Sequence, residues 1–570
     1  MPLSLHIDPE ILVEEAEDDA GRVLRLARGG GGPSTVTSAH AGRYETQLVP
    51  KYSIPEQGLS EDATYQLLKN ELLLDGKPGL NLASFVHTWM PERAHQLMSE
   101  SIGINLCDQD EYPATMSIHA RCVSSIATLW NAPKVKQQDG RARAAMGTAT
   151  TGSSEAIMLG LLAAKRRWQN KRKAQGKSIH EPGPNLVFGA NVQVAIEKFA
   201  RYWDVEERPV DIDESTHYCL DAKRAMEKVD ENTIAVVVIL GSTYTGHYEP
   251  VEEVAKELDA LQARTGIDVP IHVDGASGGM VAPFATPDLR WGFELERVKS
   301  INTSGHKFGM VYPGVGWIVF RSADEVPDDL VFELHYLGSV EYSFGLNFSR
   351  PAAPILGQMF NFISLGREGF TKAMQANLQN ARLLSRSLEL SGDFLVLSDI
   401  HRPVSKIAEA ELKTHAVDVH DAKYYVPGLP VVAFRWTDEF KKNHPTLQQR
   451  WVQVLLRAKG WIVPNYELPP TLQNVQILRV VVRDSMTADL IEQLVRDILH
   501  ITQQLAADPS SVPRHLADAS PNADTGDDKA QAPASSGRGR HVPGLVRMTD
   551  AYLGRPVNKG AKGHGYSGQC

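Results

Sequence analysis

Ile234-Ala235-Val236-Val237-Val238-Ile239-Leu240 is an unbroken apolar run, rich in β-branched residues, that gives way at once to Gly241-Ser242-Thr243-Tyr244-Thr245-Gly246. A run without polar alternation predicts a strand buried on both faces, as in a parallel sheet. Downstream, Val251, Val254, Leu258 and Leu261 recur at helical spacing up to Gly266, and Val269 to Asp274 reads as a second short strand. Strand, crossover helix and strand make a right-handed βαβ unit, so both strands end on the same edge of the sheet. In open α/β sheets that edge is where ligands collect. A third strand-like run, Val298 to Ile301, leads into Ser304-Gly305-His306-Lys307-Phe308-Gly309. Thr243, Asp274 and Lys307 are thereby expected on one rim.

Upstream, Gly147-Thr148-Ala149-Thr150-Thr151-Gly152-Ser153-Ser154-Glu155 opens Ala156 to Ala164, which is apolar nearly all round and predicts a buried helix. Ser153 and Ser154 fall in the first turn, where backbone N–H groups have no helical partner; together they form a cradle for an anion, and phosphate fits it. The motif lacks the Lys-Ser/Thr ending of a P-loop, which argues against a nucleoside triphosphate. Each feature alone has a plainer reading: a solvated lysine, a turn-forming aspartate, a capped helix. Their convergence on one rim points further. A phosphate cradle, a carboxylate able to partner a pyridinium nitrogen and a lysine able to form a Schiff base are what pyridoxal 5'-phosphate asks of a protein. On this reading Lys307 holds the aldehyde, Asp274 keeps the ring nitrogen protonated, and Ser153, Ser154 and His306 hold the phosphate.

Asn81-Leu82-Ala83-Ser84-Phe85, Gly152 to Ala156, Lys198-Phe199-Ala200-Arg201-Tyr202-Trp203-Asp204, Tyr244-Thr245-Gly246, Ser304 to Gly309 and Asn347-Phe348-Ser349-Arg350-Pro351 carry a resemblance. From about residue 45 to 505 the chain resembles the glutamate decarboxylases of bacteria, plants and fungi, among the fold-type I pyridoxal-phosphate enzymes. The resemblance implies an α/β fold with a mainly parallel seven-stranded sheet in a large domain and a smaller α+β C-terminal domain. It implies a lyase that converts L-glutamate to 4-aminobutyrate and carbon dioxide through a Schiff base on Lys307. Asp274 is then the pyridine partner, Ala276 packs against the ring, Gln193 lies over it and Thr243 meets its polar edge. Ser349 corresponds to a serine lent to the phosphate of a neighbouring subunit, so a homodimer is the minimum unit and a hexamer a larger option. The substrate pocket maps onto Ser84, Phe85, Asn105 and Asp108, with Arg479 gripping a carboxylate. Ser84 stands where many relatives have Thr; the hydroxyl survives, so glutamate is still expected. Asp108 beside an anionic substrate favours a protonated acid, and hence greater activity below neutral pH. Rival readings on the same scaffold are decarboxylation of aspartate or an aromatic amino acid, an aminotransferase, and a non-catalytic relative.

The 570 residues and net charge of −10 show no basic footprint for nucleic acid. Cys107, Cys122, Cys219 and Cys570 form no C-x-x-C pair, and no metal site is expected. Without an n-region followed by an apolar h-region, and without a long apolar run, the expectation is a cytoplasmic protein with no membrane partner. Residues 1–50 read as a disordered extension and 51–100 as a helical arm begun by the Ser60 cap. Residues 101–375 are expected to form the cofactor-binding domain and 376–508 the small domain, with strands at Pro430–Trp436, Trp461–Val463 and Gln476–Val482. Residues 509–570 read as a low-complexity tail. Its basic residues are interleaved with Gly and Pro and lack a Trp, so calmodulin binding is not expected, although Arg547 to Cys570, with His564, could fold back on a subunit.

Overall fold

The computed structural model describes residues 54–134, 145–334 and 341–508, with two short paired strands, Thr35–Val36 and Val49–Pro50. That pairing lies within the segment expected to be a bare extension; the other expectations for residues 1–50 and those for 509–570, including His564 and Cys570, lie outside the described residues. The chain divides into two compact units at Gly76/Lys77. In the first, Ser60 caps helix Glu61–Glu71 by accepting from the Ala63 N–H at 3.3 Å. The second holds everything that follows through residue 508. Among the described residues no helix is long and apolar enough to cross a membrane.

Seven strands form the principal sheet: β1 (Met146–Thr150), β2 (Asn185–Gly189), β3 (Glu206–Val210), β4 (Thr233–Ile239), β5 (Ile271–Asp274), β6 (Val298–Ser304) and β7 (Gly316–Phe320). Their spatial order is β1-β7-β6-β5-β4-β2-β3. All pairs are parallel except those of β7, which runs against both β1 and β6. Every residue of β4 is buried, as an apolar strand covered on both faces requires. Helix α1 (Ser153–Ala174) lies against β6 and β7, α2 (Val194–Tyr202) follows β2, and α3 (Val251–Thr265) makes the crossover between β4 and β5. Gly266, at φ 76°, ends α3 in the left-handed conformation that glycine adopts without a Cβ clash.

A second, antiparallel sheet lies C-terminal to the first, ordered β8-β9-β11-β10: β8 (Phe394–Val396), β9 (Val431–Trp436), β10 (Asn465–Glu467) and β11 (Gln476–Val481). Helix α4 (Ala353–Leu390) is broken at Gly366 and packs against both β8 and β9. The boundary expected between 375 and 376 falls inside it. Helix α5 (Ala488–Ala507) closes the described chain. Trp461–Val463 is not a strand: Ile462 makes a lone bridge to Asn81, and the sheet strand comes later, at β10. Trp461 and Val463 are both buried, so the apolar letters reported burial correctly and pairing wrongly. Strand β8, only three residues long, escaped the pattern altogether.

The start of β7 and the turn before α1 are pressed together. A Cβ on Gly316 would lie 2.4 Å from the Gly152 carbonyl carbon, a distance no side chain tolerates. Gly316→Ala should therefore cost about 1–3 kcal/mol of stability through overpacking. Urea denaturation checks this, and a midpoint equal to that of the parent would contradict it.

Candidate active site

Parallel register brings three strand ends level. Ile239 pairs with Asp274, and Asp274 with Asn302, so β4, β5 and β6 release their loops at one edge. The loops carry Thr243, Ala276 and Lys307, and they are stitched together: Ser304 N–H donates to the Ala276 carbonyl at 3.0 Å. Gln193, at the end of β2's loop, caps α2, its side chain accepting from the Ala195 N–H at 2.6 Å.

Lys307 is buried, with 8% of its surface exposed, in a tight turn closed by the Met310 N–H on the Lys307 carbonyl. Met310 takes a positive φ of 60°, sparsely populated for a side chain of this type. Helix α4 holds the turn from below: Gln358 donates to the Gly309 carbonyl at 3.1 Å and Asn361 to that of Met310 at 2.5 Å. His306 lies against the turn preceding α1, where a Cβ on Gly152 would be 3.2 Å from its ring. Burial, reinforced by the Lys307 charge, lowers the His306 pKa to about 4, and its Nδ1 is buried without a partner.

Ser153 and Ser154 occupy the first turn of α1, half-buried, directly after Gly152. Glu155 fixes the turn from behind. One of its oxygens accepts from the Thr151 N–H (2.8 Å), the Thr151 hydroxyl (2.9 Å) and the Asn347 amide (3.2 Å); the other accepts from the Leu346 and Asn347 N–H groups. A buried carboxylate with five donors is well compensated. It ties the cradle to the segment that carries Ser349.

Behind Asp274 runs an oriented chain of hydrogen bonds. Asn302 donates its amide to Asp274 Oδ1 at 2.8 Å, so its own oxygen faces His272 Nε2 at 2.9 Å. That nitrogen must carry the proton, and Nδ1 then accepts from the Ser300 hydroxyl at 2.7 Å. Burial lowers the His272 pKa to about 4, against the opposing charge of Asp274, and a neutral ring is what the chain requires. The Ala276 N–H also lands on Oδ1 at 3.1 Å, so neither bond uses Oδ2. A comparable neutral imidazole, His119, accepts from the Ala149 N–H at 2.8 Å and is lowered to about 4 by burial and by Arg350.

The expected substrate residues fall into two groups. In the first, the Phe85 ring lies near both Lys307 Nζ, 5.3 Å from its centre, and the Arg479 guanidinium, 5.1 Å from it. Arg479 donates to the carbonyls of Ala83 and Thr243, and its Nε is buried without a partner. The Ser84 hydroxyl accepts from the Val86 N–H at 3.1 Å, and the His87 N–H donates to the His306 carbonyl at 2.8 Å, so this loop is joined to the lysine turn. In the second, Asn105 donates to Cys107 Sγ (2.9 Å), Asp108 Oδ1 (3.3 Å) and Ser349 Oγ (3.4 Å). Burial, then the adjacent Asp108, pushes the Cys107 thiol up.

The description "Pyridoxal-dependent decarboxylase conserved domain" matches residues 50–405. The chain belongs to the pyridoxal-dependent decarboxylase family. The glutamate decarboxylase of Petunia hybrida is 44% identical over 483 residues, 85% of this chain and 89% of the relative. That of Saccharomyces cerevisiae is 42% identical and covers 85% of both. Among solved structures, Lactobacillus brevis glutamate decarboxylase matches with TM-score 0.72 and 34% identity over 81% of this chain and 96% of that one. Oryza sativa TDC solved with PLP, at 17% identity and TM-score 0.61 over 89% of this chain and 99% of that one, shares the fold. The decarboxylase thus has the fold-type I α/β architecture, and pyridoxal phosphate is its cofactor. The residues fit that group: an anion cradle at Ser153–Ser154, an unpartnered His306 Nδ1 beside it, a buried lysine, and a carboxylate with one oxygen outside its local bonds.

Sequence reasoning missed His272, Ser300, Asn302, Gln358 and Asn361, and gave Glu155 no role. A signal existed for the first three: polar residues at alternate positions, 272 and 274 among the apolar residues of one strand and 300 and 302 on either side of Ile301 in the next. Two outcomes follow for the decarboxylase. Asn302→Ala should strip both Asp274 Oδ1 and His272 Nε2 of a partner and cost about 1–3 kcal/mol in chemical denaturation; no loss would contradict the chain. His119, His272 and His306 sit near 4 in the folded state against 6.5 for the free side chain. Between those values the unfolded chain binds more protons, so stability should be full above 6.5 and fall towards pH 4. Glu249, pushed up to about 7 by burial, works in the opposite sense and is outnumbered. The melting temperature of cofactor-free protein, higher at pH 6.5 than near pH 5, is the check; a flat profile would rule the neutral imidazoles out.

Proposed function

We propose that this enzyme decarboxylates L-glutamate to 4-aminobutyrate, breaking the bond from Cα to its carboxylate, forming a Cα–H bond, and taking up one proton as carbon dioxide leaves. The observation that carries the reading is the grouping of Lys307, Phe85 and Arg479: a buried amine and a buried guanidinium that lie 5.3 Å and 5.1 Å from the centre of one aromatic ring. An amino acid whose amine took the lysine's place at the cofactor would have a cationic group, Arg479, at the same aromatic ring, which suits a dicarboxylic substrate. The names of the relatives support the same substrate.

Pyridoxal phosphate, when bound, supplies a ring able to accept the electron pair left at Cα. The chain's own residues do the rest. Lys307 is the attachment point, held in place by Gln358 and Asn361 through the backbone of its turn. Asp274 offers a carboxylate to hold a proton on a ring nitrogen, its own position fixed by Asn302 and Ala276. Ser153, Ser154 and His306 receive the phosphate. Phe85 and the surrounding burial exclude water, which strengthens the charge interactions made there.

The working unit on this proposal is at least a homodimer, in the cytoplasm. Its support is surface chemistry: Phe332, Tyr342, Leu346, Phe348 and Ile363 are large apolar side chains left 41–67% exposed, around the segment that carries Ser349. Large apolar side chains exposed along one stretch of chain suit a covering partner. Asn105, Asp108 and Ser349 would then serve the neighbouring site, explaining why they assemble as a group apart from Phe85 and Arg479.

Purified protein supplied with glutamate and pyridoxal phosphate should release carbon dioxide and 4-aminobutyrate in equal amounts, and Lys307→Ala should abolish both. Arg479→Lys, which keeps the charge but loses the planar fork, should raise KM about tenfold or more. Turnover of an aromatic amino acid in preference to glutamate, or formation of a keto acid in stoichiometric amounts, would overturn the reading.

A further inference from the structure

We propose that His217, His247 and Asp399 form a binding site for a divalent transition-metal ion of the zinc class. The sequence spacing predicts no metal site, and none is visible in it: His217 and His247 lie 182 and 152 residues from Asp399. The fold brings them together. Nδ1 of His217, Nε2 of His247 and Oδ2 of Asp399 lie within 4.8 Å of one another. Both imidazole nitrogens converge on the same carboxylate oxygen, at 2.9 Å and 3.0 Å.

Two imidazoles and one carboxylate are the donor set of three-ligand zinc centres that leave a fourth position for water. Bonds of about 2.0–2.2 Å in a tetrahedral arrangement require donors about 3.3 Å apart, so these N–O pairs need open by only a few tenths of an ångström. The outer shell is in place for two of the three ligands. Asp399 Oδ1 accepts from Arg402 Nε at 2.7 Å, which fixes the carboxylate and leaves Oδ2 as the ligating atom. His247 Nδ1 is 2.8 Å from the Thr245 hydroxyl, which fixes the ring. Such partners orient metal-binding side chains. His247 and Asp399 are 7% and 14% exposed, whereas the His217 side chain is 71% exposed, so an ion can enter from that side.

The kind of ion also follows. With Arg402 neutralising part of the only carboxylate, an oxygen-seeking ion such as calcium or magnesium gains little; an ion that binds imidazole strongly is favoured. The three ligands come from three places: the turn after β3, the loop after β4, and the segment after β8. A bound ion would fasten the second sheet to the first, close to Thr243, whose carbonyl holds Arg479.

The test uses untagged, pyridoxal-phosphate-loaded protein freed of excess cofactor, which itself binds metals. Co2+ titration should show visible absorption of a four-coordinate ion at one per chain, displaced by Zn2+, and Zn2+ should raise the melting temperature. His217→Ala, a change at an exposed side chain, should weaken binding about tenfold or more and abolish the thermal shift. Asp399→Asn should do the same, and His180→Ala, at an exposed histidine elsewhere, should leave both intact. Absence of stoichiometric uptake, or uptake that survives His217→Ala and Asp399→Asn, would show adventitious binding only and overturn the proposal.

Discussion

One hydrogen bond joins two adjacent strand ends where the chemistry is concentrated: Asn302 to Asp274. An aspartate that is only 2% exposed would ordinarily be a liability, since an unpaired buried carboxylate costs several kcal/mol. Here the sheet absorbs it. The amide of Asn302 takes one oxygen, and the orientation this forces on Asn302 dictates the proton position on His272 and the role of Ser300. The central strands consequently carry polar groups through an apolar layer with a partner at each step. Parallel register makes this possible, because it sets residues 274 and 302 side by side.

The same economy of buried charge recurs around the site. Glu155 has five hydrogen-bond donors; Arg479 and Arg483 donate to backbone carbonyls, and Arg479 also lies over the rings of Phe85 and Tyr466. Each charge thereby organises loop backbone that has no strand or helix partner of its own. Glu155 gathers residues 346–347 onto the start of α1, and the two arginines gather residues 81–86 onto β11 and its exit. A loop fixed in this way keeps its position without becoming part of the sheet, which suits a surface that must admit a substrate.

The parts of this arrangement that can be read from the letters are those with short-range causes. The uniform apolar run 234–240, the helical spacing of 251–261 and the glycine at 266 each act within a few residues, and the elements they predict are present. So are the strand end at Asp274 and the loops bearing Thr243 and Lys307, because strand direction in a βαβ unit leaves no freedom about which edge they reach. What could not be read depends on register between distant strands. Nothing in the letters shows that 272 lies beside 300 and 302, that α4 presents Gln358 and Asn361 to the lysine turn, or that Ile462 pairs with Asn81 and not with a sheet strand. The grouping of Asn105 with Ser349, 244 residues away, is of the same kind.

Helix α4 is interrupted at Gly366, with φ 58° and ψ −173°, so its two halves follow different axes. The earlier half steadies the lysine through Gln358 and Asn361; the later half reaches the C-terminal sheet, where Arg382 donates to the Ile400 carbonyl and Asn380 to that of Met486. No single rod therefore sets the distance between the amine at 307 and the guanidinium at 479. What the two share is the benzene ring of Phe85, a rigid body that both cations meet.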